Sequence, residues 1–398
     1  MKAFFFKRIF ITSMIIMGLI SLALLLVRKQ AAPMVSGLEG MLIIYCGAAF
    51  LWARSIRYDS VLITRGAIGI YVVLSWLYSV VYRGANFLDF LMIYKSFIYL
   101  FFLTFLAGKR LMDVKGVVNF YNILLGIFLV KYVLAQVLGT DNRPVVYEEN
   151  NFELMLLYAL YLVRYRVTKK KYLLLLGLLG VITVVSLSRS SLLMYSVLVM
   201  YVVYKSFKKT WVYIIPVALA VMGAAVYYIF TQRSANLQEV DRYKFMTIFL
   251  WEVKDWNVWH WLVGNQRITP LSYYSCQSMS YFKNLFSYSG DGSCYSVILH
   301  SFLFRVILDH GLLGLIFIIY STGLLLRKSE VGKDITIIFI SIVLINGLSV
   351  SSFNNLFFAI SMVFLMCTNL RVLYQQEEAS EQNRVRSIEN TLIHESKH

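Results

Sequence analysis

The composition of this 398-residue chain excludes a soluble globular protein. Hydrophobic residues make up 59% of it and charged residues 15%, whereas a soluble domain keeps about a quarter of its residues charged. The formal net charge is +17, but the Lys and Arg residues form short clusters between apolar runs. We therefore assign the positive charge to membrane topology and anionic lipid headgroups, and exclude nucleic acid as the partner.

Apolar runs recur along the chain, each long enough to cross roughly 30 Å of hydrocarbon as a helix. Backbone polar groups must be satisfied within each span, and the period-two alternation of barrel strands is absent. The sequence therefore predicts an all-α polytopic membrane protein with about twelve transmembrane helices. The predicted spans are 9–27, 36–53, 61–82, 87–107, 116–139, 151–166, 172–188, 190–206, 211–231, 298–326, 334–350 and 353–371. The first run lacks a small-residue cleavage site and is interpreted as a retained helix, not a signal peptide.

Alternate connections between the spans carry the cations, which predicts that both termini are cytoplasmic. Residues 1–231 then form nine transmembrane helices, and 232–297 form one large loop on the outer side. Residues 298–371 form three more spans, and 372–398 form a polar cytoplasmic tail. Long loops are usually functional, so we expect the working surface on the outer side.

The large outer loop contains two further signals. Residues 240–253 have the pattern of an amphipathic helix that could lie on the outer membrane surface. Cys276 and Cys294 lie in the same loop, where an oxidising compartment would allow either a disulfide or two free thiols. No CxxC or His spacing accompanies them, so a metal pair is not indicated.

The end of this loop leads into the tenth span with ionisable residues. His300 lies where the span enters the membrane, and Arg305 and Asp309 follow at a four-residue spacing. That spacing puts both on one helical face, where they could pair and act as structural or supporting groups. A histidine at the interface can serve as a general base, or it can be an interfacial residue with no role.

Two arginines on the outer side are candidate phosphate ligands. Arg189 lies in a tight polar hairpin, Ser186–Leu193, between the seventh and eighth spans. Arg242 opens the amphipathic helix, and Gly264-Asn265 follows later in the loop. A guanidinium suits phosphate because it donates several hydrogen bonds in a planar fork. The alternatives are a helix-end anchor that reaches the headgroups and an ordinary interfacial helix.

The order of these motifs resembles the O-antigen ligase/polymerase superfamily. The polar Ser-Arg hairpin comes first, the Arg-led helix and Gly-Asn follow, and a His precedes a Gly-Leu-Leu-Gly helix. That family consists of bacterial inner-membrane glycosyltransferases with a GT-C-like fold that act on undecaprenyl-diphosphate-linked sugars. The resemblance implies that Arg189 and Arg242 bind the donor diphosphate and that His300 activates the acceptor. Ligases commonly have Asn after this histidine, whereas this chain has Ser301, which favours the polymerase branch.

A further outer segment, 142–153, fits the polymerase interpretation. Glu149 and Glu153 could bind sugar hydroxyls or support His300, and Arg143 could add affinity for phosphate. The alternative is a solvated loop in which Glu153 caps the start of the next helix.

The expected activity is polymerisation of lipid-linked repeat units on the periplasmic face, for O-antigen or capsule. No acidic cluster, P-loop, GxGxxG or HExxH occurs, so we expect a metal-independent transfer without a cofactor. A chain-length regulator and a flippase are the expected protein partners. Two alternatives stay open: an O-antigen ligase, and a lipid-linked oligosaccharide flippase with Arg65, Lys95 and Lys131 marking a polar path. In the flippase case Lys95 and Lys131 could equally pair with Asp89 or reach the headgroups.

Overall fold

A computed structural model describes residues 2–27, 35–52, 58–139, 143–167, 171–207, 223, 241–266 and 268–370. Over these residues the chain is helical and has no β-strand. The first helices are α1 (Lys2–Leu26), α2 (Val35–Trp52), α3 (Asp59–Trp76), α4 (Phe87–Thr104), α5 (Val114–Val137), α6 (Asn150–Val167), α7 (Tyr172–Val185) and α8 (Arg189–Ser206). The outer-loop region has α9 (Asp241–Val253), α10 (Val258–Val263) and α11 (Tyr273–Ser278), and α12 (Phe302–Lys328), α13 (Lys333–Gly347) and α14 (Leu356–Cys367) follow.

The helices coincide with the predicted spans wherever the structure describes them. The span at 211–231 and the tail at 372–398 lie outside the described residues, apart from Gly223. Within the described residues, five helices are long and apolar enough to cross a membrane: Lys7–Leu26, Asp59–Tyr82, Phe87–Thr104, Val114–Val137 and Phe302–Lys328. The all-α fold is confirmed, whereas the count of about twelve spans and the sidedness stay predictions.

The bundle is built around α6 and α14. Every residue of α14 is buried, and almost every residue of α6 is buried as well. Helix α6 packs against α14, α5 and α8. Helices that are apolar all round lie in the core. By contrast, α1 and α3 expose large aliphatic side chains such as Ile16 and Ile63. Exposed apolar surface of this kind fits a lipid surrounding.

The predicted outer loop folds into a small cap on α12. Its core includes Phe245, Phe249 and Met279, which pack on Ile298 and Leu308. The predicted amphipathic helix is α9. It was expected to lie on the membrane surface, but its apolar face packs into this core. The structure joins Cys276 to Cys294 in a disulfide with the Cα atoms 5.8 Å apart. We call the end of the bundle under this cap the loop end, and the other end the far end.

A pair of glycines holds the cap against α12. Gly264 follows α10, and Gly311 interrupts the helical conformation of α12 with φ 67° and ψ −175°. A Cβ added at Gly311 would lie 2.3 Å from the Leu262 carbonyl oxygen, and one at Gly264 would lie 2.7 Å from the Gly311 nitrogen. The Asn265 N–H donates to the Leu308 carbonyl at 2.8 Å. The two glycines of the sequence motifs are therefore needed where two backbones touch.

Candidate functional site

Arg189 begins α8 in the tight hairpin that the sequence predicts. Leu187 takes a left-handed φ of 49°, which reverses the chain between α7 and α8. Ser188 caps α8 by accepting from the Ser191 N–H, and its hydroxyl donates to the Asn151 side-chain oxygen at 2.6 Å. The Asn150 amide donates to the Ser186 carbonyl at 2.8 Å. The hairpin is thus fixed to the start of the buried helix α6, and Arg189 is itself only 8% exposed.

The predicted site residues Arg143, Glu149, Arg189 and Arg242 are linked by pairwise electrostatic interactions. Arg143 acts electrostatically on both Glu149 and Arg189, and Arg242 acts on Glu149 from the cap. Glu149 is solvent-exposed, yet the surrounding protein raises the pKa of its carboxyl, while Arg143 and Arg242 lower it. Like charges gathered in this way favour an anionic ligand.

His300 lies in the turn before α12, not in the helix itself. It follows the 3₁₀ turn Ser296–Leu299 and has φ 54° and ψ −32°, an uncommon conformation for a residue with a Cβ. Strained backbone of this kind clusters at functional sites. The imidazole is exposed and lies against Phe245 and Phe282 of the cap, with ring centroids 5.5 and 6.5 Å away. Phe245 lies one helical turn after Arg242 on α9, so Arg242 shares a helical face with the residue that contacts His300.

A hydrogen-bonded path connects the Arg189 hairpin with His300. The Asn346 amide of α13 donates to the Asn151 carbonyl at 3.3 Å, and Asn151 accepts from Ser188. One residue after Asn346, the Gly347 carbonyl accepts from the Ser301 hydroxyl at 3.1 Å. The end of α13 therefore fixes both functional segments relative to one another.

Arg305 and Asp309 have structural partners, as the supporting role predicts. Arg305 is buried and donates to the Ser351 hydroxyl and to the Met92 carbonyl. Ser351 in turn donates to the His300 carbonyl at 3.0 Å. Asp309 accepts from Ser296 in the turn before His300. Both residues thus stabilise the turn that contains His300.

The proposed sugar-binding role of Glu153 does not fit the structure. Its carboxylate is fully buried and accepts from the Val146 and Tyr147 N–H groups and from the Tyr132 hydroxyl at 2.7–3.1 Å. These bonds use the carboxylate to hold the turn before α6, because that turn buries its own N–H groups. The alternative of a solvated loop with Glu153 capping α6 is not found either, because the carboxylate is buried and accepts from N–H groups that precede the helix.

The three cations of the flippase alternative are each engaged with a different helix. Arg65 donates to Thr104, Lys95 pairs with Glu39, and Lys131 donates to the Ser21 hydroxyl. The alternative pairing of Lys95 with Asp89 is not the one found. Asp89 accepts from the cap, from the Ser287 hydroxyl at 2.6 Å and the Tyr288 N–H at 3.1 Å. Nothing in these contacts marks a continuous polar path through the described bundle.

The sequence reasoning missed the residues that connect the site. The sequence showed Asn151 only as one residue of a polar stretch. Nothing in the sequence indicated the roles of Asn346 and Ser351, because their hydrogen-bond partners are far away in the chain. Phe245 would have been expected to face lipid. Among the described residues, no group of three or more His, Cys, Asp or Glu side chains could hold a metal ion.

No protein-family model, curated protein or solved structure matches this chain. The resemblance to the O-antigen ligase/polymerase superfamily therefore rests on the order of the motifs in the sequence.

Proposed function

We propose that this protein is a polysaccharide polymerase that joins undecaprenyl-diphosphate-linked oligosaccharide repeat units at the periplasmic face of the bacterial inner membrane. One observation carries the proposal. Arg143, Arg189 and Arg242 come from three separate segments: Arg143 and Arg242 interact electrostatically with Glu149, and Arg143 also interacts with Arg189. His300 packs against Phe245, which lies one helical turn after Arg242 on α9. A cationic cluster and an accessible imidazole suit a reaction in which a diphosphate leaves and an acceptor hydroxyl loses one proton.

The chemistry balances without a metal or a nucleotide. The oxygen of an acceptor sugar hydroxyl forms a bond to the anomeric carbon of the donor glycan, and the bond from that carbon to the diphosphate oxygen breaks. The electron pair leaves with the lipid diphosphate, and His300 accepts the hydroxyl proton. The energy of the step comes from the sugar–diphosphate bond of the substrate.

The arginines stabilise the charge that develops on the leaving diphosphate. Removing one preorganised donor from such a site typically lowers the rate about 10²–10³-fold. Arg189 is held by a buried hairpin, so its guanidinium is placed before the substrate arrives. Arg242 lies on α9 of the cap, so the second cation for the diphosphate comes from a different segment of the chain.

The proposal includes the partners that such a pathway requires: the lipid carrier with its glycan, a flippase that delivers it, and a chain-length regulator. Ligation to lipid A core is the closest alternative activity. Ser301 supports the polymerase branch, because the ligases commonly have Asn at this position. Here the residue precedes α12 without a side-chain cap bond, and its hydroxyl donates to the Gly347 carbonyl of α13.

To test the proposal, the purified protein is reconstituted in lipid and given a lipid-linked oligosaccharide, and the length of the product is measured on a gel. We expect His300→Ala and Arg189→Ala to abolish the ladder of polymers. The matched controls are His260→Ala, an exposed cap histidine that contacts Asn257, and Lys244→Ala, which neighbours Arg242 in sequence. Wild-type ladders from the His300 and Arg189 variants would refute the site.

Gene deletion separates the polymerase from the ligase. Loss of a polymerase leaves a single repeat unit on the core, whereas loss of a ligase leaves long chains on the carrier lipid and a bare core. Loss of a flippase would leave repeat units on the cytoplasmic leaflet, and would contradict both enzyme assignments.

A further inference from the structure

A second cavity lies at the far end of the bundle, away from the candidate site. It has a volume of about 730 Å³ and lies between α8 and α13, next to the end of α6. Arg189 begins α8 at the loop end, whereas Lys205 lies in the last turn of α8 and lines this cavity. A helix rises about 1.5 Å per residue, so the two sites are roughly 24 Å apart along α8.

The polar end of this cavity is cationic. Its lining includes three cations, Arg166, Lys205 and Lys333, and one carboxylate, Asp334. Arg166 pairs with the Asp334 carboxylate, and the Lys205 ammonium lies 3.1 Å from the same oxygen. The Tyr201 hydroxyl also donates to that oxygen at 2.9 Å. Asp334 therefore holds cations from two other helices at one place, and the lining keeps an excess of two positive charges.

The rest of the cavity is apolar and faces outward. Val197 and Met200 of α8 and Ile337 and Ile338 of α13 form its walls. Ile337 is 51% exposed and Tyr204 is 55% exposed. Since these walls belong to predicted membrane spans, the cavity is a groove with cations at one end and aliphatic surface along its length. A soluble anion would use only the first of these features.

We propose that this groove binds an anionic phospholipid, with the headgroup phosphate at Arg166, Lys205 and Lys333 and an acyl chain between α8 and α13. Charge complementarity selects the headgroup, because basic pockets between transmembrane helices bind anionic lipids. The aliphatic walls select a lipid over a free phosphate. The site is independent of the glycan chemistry at the loop end.

The experiment measures lipid binding to the full-length protein by native mass spectrometry, with phosphatidylglycerol and phosphatidylcholine as probes. The test variant is Lys205→Gln/Lys333→Gln. The control is Lys115→Gln/Lys171→Gln, which removes the same charge from exposed positions outside the groove. We expect phosphatidylglycerol to bind wild type at least tenfold more tightly than phosphatidylcholine. We expect the test variant to bind it about thirtyfold more weakly, because each cation near a headgroup contributes about 1 kcal/mol, and the control to resemble wild type.

A third variant, Ile337→Asn, distinguishes a lipid from a soluble anion. It should weaken phosphatidylglycerol binding severalfold, and millimolar pyrophosphate should not displace the lipid from wild type. Equal binding of the two lipids to wild type would overturn the proposal, as would equal losses in the test and control variants. Displacement by pyrophosphate, with no effect of Ile337→Asn, would assign the groove to a soluble anion instead. None of these readouts depends on polymerase activity.

Discussion

Alanine at position 311 would put a methyl group where the backbone of the cap touches α12. Gly311 has φ 67° and ψ −175°, a region used almost only by glycine, in which other residues are strained by about 1–3 kcal/mol. The new Cβ would also lie 2.3 Å from the Leu262 carbonyl oxygen, and backbone cannot rotate away as a side chain can. Overpacking of this kind costs about 1–3 kcal/mol. We therefore expect Gly311→Ala to destabilise the docked cap by about 2–6 kcal/mol.

The assay combines apparent Tm with hydrogen–deuterium exchange of residues 258–266. The N–H of Asn265 should exchange faster, because its bond to the Leu308 carbonyl depends on the same contact. Gly126→Ala in α5 is the matched control, since its Cβ would meet nothing within 4 Å. There alanine should be neutral or stabilising by about 0.5–1 kcal/mol. The reasoning is refuted if both variants have the same Tm and the same exchange rates.

Three other predictions follow from the cap and the site. Cys276→Ser/Cys294→Ser should destabilise the cap by about 3 kcal/mol for a loop of this length, which would be measured as faster hydrogen–deuterium exchange over 241–297. Two alkylatable thiols in the native wild-type protein would contradict the disulfide. Burial raises the pKa of Glu149 above its usual 4.5, so its proton stabilises the folded state and that contribution is lost as pH rises through the raised pKa. Glu149→Gln should therefore have a higher Tm than wild type at pH 7, with the gap closing below pH 4.5. Ser351→Ala removes two hydrogen bonds, one accepted from Arg305 and one donated to the His300 carbonyl. The second is worth about 1 kcal/mol and positions His300, so kcat should fall at least about fivefold with KM unchanged. Ser349→Ala is the control, and a change confined to KM would argue against positioning.

The helices could be predicted from the sequence because burial in lipid requires long apolar runs, and those runs are visible in one dimension. The hairpin at Arg189 was predictable for the same reason, since a short polar segment between two apolar runs has to turn. The helix that begins beside Arg242 was also predicted correctly. The prediction did not include that its apolar face packs into the core of the cap.

What could not be predicted depends on contacts between distant segments. Glu153 has the same position relative to its helix as a solvated capping residue, and only the fold reveals that it binds the N–H groups of its own turn. Asn346 is one polar residue in an apolar span, and its role exists only because α13 ends beside α6. The turn at His300 was placed inside the tenth span, because apolar neighbours on both sides conceal a backbone reversal.

Under the proposed function, the burial of α6 bears on how a growing polymer would be accommodated. Asn151 lies at one end of this helix and Arg166 near the other, and most of the residues between them are buried in protein. Ser188 in the Arg189 hairpin donates to Asn151, so the hairpin is anchored to this buried helix. The cap, which carries Arg242, is joined to the bundle by the glycine pair, by its own core and by the bonds from Ser287 and Tyr288 to Asp89. We therefore expect the cap to be displaced for a branched or bulky repeat unit, and glycan preference to change with substitutions in the cap and its junction with α12 more than with substitutions in the bundle.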